Sequence, residues 1–151
     1  MRMLLAGLAL FFAFATAAQA DGHIVVKQSN HSVAKTLDRL AEILKSKGAT
    51  VFARVDHAAG AKKIGTDMKP TQLLIFGNPK LGTPLMQAER KIGLDLPMKA
   101  LAWEDDAGKV WLAYGAPADL KTRYQVLGQD KVFGKMTGVL GKLTDAAIKA
   151  E

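Results

Sequence analysis

The chain has 151 residues, a formal net charge of +7, 49% hydrophobic residues and no cysteine. A chain of this size and composition makes one hydrophobic core, which excludes a disordered chain, a collagen-like repeat and a multi-domain machine. The absence of cysteine excludes disulfides, thiolate zinc sites, iron–sulfur clusters, covalently attached haem and cysteine nucleophiles.

The first twenty residues predict a secretory signal peptide. Arg2 is followed by an apolar run from Leu4 to Ala18, and the small-x-small triplet Ala18-Gln19-Ala20 precedes Asp21. This run is shorter than the roughly 18 to 20 residues that a membrane-spanning helix needs. We therefore expect cleavage after Ala20 and a periplasmic or secreted mature chain with no transmembrane segment.

The mature chain begins with a strand-helix-strand pattern. Residues 23–28 predict a first strand. Ser32 then predicts the N-cap of a helix whose apolar residues recur at helical spacing up to Gly48. Alternation over residues 49–55 predicts a second strand, and residues 56–69 predict a long loop with room for one helical turn.

Next, the run Leu73-Leu74-Ile75-Phe76 predicts a central strand over residues 71–76, covered on both faces. Thr83 and Pro84 predict the N-cap and first position of a short helix that ends at Gly93.

The last third of the chain predicts a hairpin and two helices. Residues 98–104 and 109–114 form the hairpin strands, joined by Asp105-Asp106-Ala107-Gly108. One helix starts at Pro117. The other starts at Asp130 and carries an apolar stripe, with three glycines at positions 134, 138 and 141 beside it.

This order, β-α-β-β-α-β-β-α-α, predicts an α+β two-layer sandwich with a mixed or mainly antiparallel sheet and helices on one face. Residues 1–20 are the signal peptide, residues 21–128 a single α+β domain, and residues 129–151 a C-terminal amphipathic helix. That helix packs either onto the domain or onto a partner, so a homodimer through its glycines stays an open alternative.

Several ordered stretches run through the middle of the chain: Phe52–Gly60, Leu73–Pro79, Gly82–Met86 and Ile92–Pro97, followed by Trp103-Glu104-Asp105. In this order they resemble the domain-of-unknown-function family numbered 302. The resemblance covers residues 25–124 and implies a small α+β domain, often exported in bacteria, with no activity to carry over. It does not extend to the helix beyond Asp130.

The stretch from Gly77 to Pro84 is the best candidate for a binding pocket, because a buried strand leads there into a helix N-terminus with free backbone amides. Such a terminus suits an anion or carboxylate. Asn78, Lys80, Thr83 and Met86 are the candidate ligand-binding residues. The alternative is turn formation alone, with Asn78 and Thr83 shaping the backbone.

Asp56 and His57 form a second candidate at the edge of the predicted loop. His57 would act as a general base or metal ligand oriented by a carboxylate, Asp56 or Glu104. The favoured alternative makes Asp56 a cap for the following turn. The acidic cluster Glu104, Asp105 and Asp106 is likewise better explained as a solvated turn than as paired catalytic carboxylates.

Metal binding has weak support in the sequence. The three histidines, at positions 23, 31 and 57, show no paired zinc-ligand spacing. Copper would need thioether ligands from Met68, Met86, Met98 or Met136, although methionine more often fills gaps in a core. The cofactor is therefore left unknown.

Positive charge is spread along the chain without a cluster, which argues against a nucleic-acid partner. The sequence favours an exported binding or accessory domain, non-enzymatic, for a small molecule or protein that it does not identify. In this interpretation the Asn78–Met86 stretch binds the ligand, and the Asp56/His57 loop lies nearby. The alternative is a small copper or zinc protein, or a hydrolase centred on His57.

Overall fold

The computed structural model describes residues 24–150, so the predicted signal peptide lies outside the described residues. Five strands form one open sheet in which every neighbouring pair is antiparallel. The strands are β1 (Ile24–Ser29), β2 (Thr50–Asp56), β3 (Thr71–Gly77), β4 (Met98–Glu104) and β5 (Val110–Gly115). Their order across the sheet is β1-β5-β4-β3-β2. The two edge strands are therefore β1 and β2.

Five α-helices and one 3₁₀ helix occur within the described part of the chain. They are α1 (Val33–Ser46), α2 (His57–Lys63), α3 (Pro79–Ala88), the 3₁₀ helix Arg90–Leu94, α4 (Pro117–Arg123) and α5 (Asp130–Ile148). The predicted α+β fold, with helices on one face of the sheet, is confirmed. The sequence pattern missed the length of α2, which occupies half of the predicted loop.

Helix α1 lies across the sheet and connects its two edges. Ser32 caps it by accepting a hydrogen bond from the backbone N–H of Lys35. Its buried positions recur every three or four residues, which places them on one stripe facing the strands: Val33, Thr36, Leu37, Leu40 and Leu44. Full burial of a leucine contributes about 1.5–3 kcal/mol, so this stripe is a main source of stability.

Helix α5 lies beside α1 and closes the same core. Its buried residues are Phe133, Met136, Leu140, Leu143, Thr144 and Ala147. Edge strand β1 is tied to it by Lys27, whose ammonium donates to the carbonyl oxygen of Gly141 at 3.0 Å and to Thr144 Oγ1 at 2.8 Å. The last helix therefore packs onto the sheet domain, the first of the two arrangements that the sequence left open.

Strand β3 is an inner strand, as predicted, but only one of its faces is buried. Leu74 and Phe76 are buried under the helices, whereas Leu73 and Ile75 on the other face are half-buried. The expectation of cover on both faces is wrong because the helices pack on one side of this antiparallel sheet. An uninterrupted apolar run therefore does not require a second layer.

No helix within residues 24–150 has the length and apolar character needed to cross a membrane.

Candidate functional site

A cleft opens where β3 ends and α3 begins. It has a volume of about 370 Å³, within the range of roughly 300–1,000 Å³ found for small-molecule sites. Its walls come from the end of α1, from β2 and β3, from α3, from the segment before β4, and from α5. The lining residues are Leu44, Lys47, Ala49, Phe52, Phe76, Gly77, Asn78, Pro79, Leu81, Gly82, Thr83, Met86, Leu96, Pro97, Met98, Met136, Val139 and Leu140.

Asn78 positions the helix that forms one wall of this cleft. Its Oδ1 accepts a hydrogen bond from the Lys80 N–H at 3.0 Å, and Pro79 occupies the first helical turn. Its Nδ2 donates to the carbonyl oxygen of Gly48 at 3.4 Å, linking the start of α3 to the end of α1. The predicted cap at Thr83 is wrong, since Asn78 is the N-cap, the helix begins at Pro79 and Thr83 lies inside it.

The first turn of α3 already has partners for its amides. The N–H groups of Leu81 and Gly82 both donate to the carbonyl oxygen of Asn78 at 2.9 Å, and that of Lys80 is held by the cap. Pro79 has no N–H. The free backbone donors expected for an anion at this loop are therefore not available from these residues.

Three of the candidate binding residues meet in the cleft. Asn78, Thr83 and Met86 all line it, and Met98 and Met136 join Met86 from β4 and α5. Lys80 is exposed on the first turn of α3 and is not among the lining residues.

Asp56 and His57 lie at the opposite end of the sheet from the cleft. In the antiparallel pair β2–β3, Asp56 is opposite Gln72, whereas Gly77 beside the cleft is opposite Thr50. Five residues of strand separate Gln72 from Gly77, or about 17 Å. The predicted proximity of the Asp56/His57 loop to the Asn78–Met86 stretch is therefore wrong.

The Asp56 carboxylate is used by the backbone around it. Oδ1 accepts from the N–H of Ala59 at 2.8 Å and caps α2, and Oδ2 accepts from Gln72 Nε2 at 2.9 Å. The Ala59 bond is the main cause that lowers the pKa of Asp56 below its ordinary value. His57 is exposed in the first turn of α2. The arrangement matches the capping interpretation of Asp56 rather than an oriented His57 base.

Among residues 24–150, no group of three or more His, Cys, Asp or Glu side chains could hold a metal ion. Thioether ligation by methionine is a separate chemistry, and three of the four methionines considered for copper line the cleft. Met68, the fourth, lies at the other end of the sheet, beside Asp56 and Gln72.

Sequence reasoning missed the walls of the cleft that α1, β2 and α5 supply. Lys47 follows the last turn of α1, and Phe52 stands at an irregularity in the β2–β3 pairing. Val139 and Leu140 belong to the helix whose packing partner was left open. Phe52 and Leu96-Pro97 lie within the stretches that resemble the family, and this was the signal available for their part of the lining.

Comparison with known proteins gives curated relatives of high similarity. The chain is 51% identical over 130 residues to "Fluoride-specific ion channel FluC 1" of Brucella suis, covering 86% of this chain and 46% of that protein. The protein of the same name from Brucella abortus is also 51% identical, with 43% of its length covered. The chain thus spans less than half the length of these relatives.

A solved structure and a family model identify the domain itself. The crystal structure of an uncharacterized conserved DUF302 protein from Bacillus stearothermophilus matches with a TM-score of 0.75 at 18% identity, covering 83% of this chain and 98% of the other. The likeness shows a shared fold. The model of "Domain of unknown function DUF302" matches residues 25–143, which extends the resemblance past Tyr124 into α5. The chain belongs to the DUF302 family.

Proposed function

We propose that this chain is an exported, non-enzymatic binding domain for a small, largely apolar molecule held in the cleft between α3 and α5. The observation that carries the proposal is the composition of the lining, which is mostly aliphatic, aromatic and thioether side chains. Such pockets bind by removing apolar surface from water, at about 25 cal/mol per Å². A few polar groups then fix the orientation of the ligand.

The polar side chains of the lining define the class of ligand further. They are Lys47, Asn78 and Thr83, and Lys47 is the charged one among the described lining residues. A cation beside an apolar cleft fits a molecule with an apolar body and one anionic end, such as a fatty acid. Met86, Met98 and Met136 suit this role because thioether side chains adapt to irregular apolar shapes.

Displacement of a fluorescent fatty acid by unlabelled fatty acids tests this assignment. Val139→Phe places a larger side chain in the wall and is expected to weaken probe binding at least tenfold. Ala146→Phe is the matched control, because Ala146 is exposed on the same helix and is not a lining residue. Equal affinity of both variants and the unmodified chain would contradict the assignment.

Lys47→Gln distinguishes the contribution of the ligand's anionic end to binding from that of its apolar body. We expect this variant to bind a fatty acid more weakly but to bind the corresponding alcohol as the unmodified chain does. Native mass spectrometry of the chain purified from its own organism then identifies the retained molecule. An equal loss for acid and alcohol would remove the role of Lys47.

Export is part of the proposal and rests on the apolar run before Ala20 and the small-x-small triplet. N-terminal sequencing of the chain recovered outside the cytoplasm is expected to begin at Asp21. Recovery of the full-length chain in the cytoplasm would contradict it. The relatives named as fluoride-specific ion channels are more than twice as long as the matched region, and we do not assign fluoride conduction to this domain.

A second candidate function is binding of cuprous ion by thioether sulfur. It is favoured by the meeting of Met86, Met98 and Met136 around one cleft, because soft thioether ligands select copper in its reduced state. Titration with cuprous ion against a competing chelator is expected to show a site that is lost in Met86→Leu. Met68→Leu at the other end of the sheet is the control. Equal affinity in both variants would exclude the cleft.

A further inference from the structure

The face of the sheet that points away from α1 and α5 is apolar. Alternate residues of the strands place on it the side chains of Ile24, Val26, Leu73, Leu101, Trp103 and Trp111, and we call this surface the open face. The buried side chains of Ala100, Ala102, Leu112 and Tyr114 on β4 and β5 point to the opposite face. Trp103 and Trp111 are directly paired across β4 and β5 on the open face.

From this surface we propose that the chain forms a two-fold homodimer in which the open faces of two copies pack against each other as a β-sandwich. Sheets pack face to face at a separation of about 10 Å, with apolar side chains interdigitating between them. An interface around a two-fold axis through the open face is self-complementary, because each copy contributes the same patch.

The size of the open face matches what a dimer requires. Five strands at about 4.8 Å spacing and six residues at about 3.4 Å rise give a face of about 24 by 20 Å, or about 480 Å². Two such faces together bury roughly 1,000 Å², the lower bound for a specific interface. Val26 is 44% exposed. Val55 of β2 lies opposite Leu73 on the open face and is 39% exposed, so both side chains are available for contact.

Charge favours a second copy over an oppositely charged partner. The chain carries +7 overall, yet the charged side chain of the described strands on this face is Lys99. Its ammonium donates to the carbonyl oxygen of Asp95, beyond the start of β4, at 3.2 Å. The indole N–H of Trp111 is bonded within its own chain to Asp105. Two open faces can therefore meet without burying opposed like charges.

Sedimentation equilibrium tests the proposal on the purified chain. The unmodified chain is expected to be a dimer, and Val26→Lys combined with Val55→Lys a monomer. The control combines Ile64→Lys and Leu127→Lys, which replace side chains that are 80% and 83% exposed outside the strands, and it is expected to stay a dimer. A monomeric unmodified chain, or a dimer that survives the Val26/Val55 change, would overturn the proposal.

Tryptophan fluorescence gives an independent measurement on the unmodified chain. Both tryptophans of the sequence lie on the open face, so dilution below the dissociation constant is expected to expose them. We expect acrylamide quenching to rise by at least twofold on dissociation, with the emission shifted to longer wavelength. A mass change on dilution without a change in quenching would place the interface elsewhere, for example on α5. A monomeric chain that binds lipid vesicles would also contradict the proposed homodimer.

Discussion

Trp111 donates its indole N–H to Asp105 Oδ2 at 2.7 Å, which links the start of β5 to the turn that joins β4 and β5. Asp105 Oδ1 accepts from the N–H groups of Ala107 and Lys109, both at 2.9 Å. The Trp111 bond is the main cause that lowers the pKa of Asp105 below its ordinary value. The Asp105 carboxylate thus organises the turn between β4 and β5, as the sequence favoured.

This network predicts a loss of stability in acid. Because the pKa of Asp105 is lower in the folded chain, the unfolded chain binds the proton more tightly. The stabilisation is complete above the ordinary carboxyl pKa and is lost as pH falls through the lower folded value. Asp105→Asn is expected to lower Tm at neutral pH and to flatten the acid limb of a Tm-against-pH curve. Asp106→Asn, at a fully exposed carboxylate, is the control. Parallel curves for Asp105→Asn and the unmodified chain would refute the role of the carboxylate.

The Asn78 cap predicts a stability effect separate from ligand binding. Replacing an N-cap by alanine costs about 1 kcal/mol, whereas serine keeps a capping oxygen. Asn78→Ala is therefore expected to lower the free energy of unfolding in urea by about 1 kcal/mol, with Asn78→Ser between it and the unmodified chain. Thr83→Ala, which removes no cap, should change stability by less than about 0.5 kcal/mol. A larger loss of stability in Thr83→Ala than in Asn78→Ala would instead support the helix start at Thr83 that the sequence predicted.

The choice between these two helix starts shows where local pattern reaches its limit. Asn78-Pro79 and Thr83-Pro84 have the same cap-and-proline signature five residues apart, and both fit a helix N-terminus. The contact that distinguishes them is between Asn78 and the carbonyl oxygen of Gly48, which is distant in sequence. Tertiary contacts of this kind cannot be read from local spacing.

The strands and α1 were predictable because alternation and helical spacing are recorded in the residues themselves. The candidate site was predictable only at its α3 wall. Its other walls depend on which helix packs where, and the separation of His57 from Asn78 depends on the register of β2 and β3. Both properties arise when distant segments meet, so neither leaves a local signal.

The contacts of Lys27 predict that this side chain holds α5 to the edge of the sheet. Besides its bonds to Gly141 and Thr144, its ammonium contacts Asp145 Oδ1 at 2.6 Å. Lys27→Met keeps the hydrocarbon stem and removes these charged hydrogen bonds, so we expect a loss of about 1–3 kcal/mol in urea unfolding. Lys142→Met, at an exposed position of α5, should change stability by less than about 0.5 kcal/mol. Equal effects of the two variants would show that the Lys27 contacts do not hold the helix.

The glycines of α5 predict a gain in stability and separate two models of self-association. A Cβ built at Gly134 or Gly138 meets no atom within 4 Å, so these positions face open space in the single chain. Alanine in a solvent-facing helix is more stable than glycine by about 0.4–1 kcal/mol, and each substitution should raise the urea midpoint accordingly. Gly128→Ala is the opposite control, because its φ of +71° is costly for any residue with a Cβ. If Gly134→Ala and Gly138→Ala instead dissociated a dimer, the glycine face of α5 would be the interface, and the open face of the sheet would not.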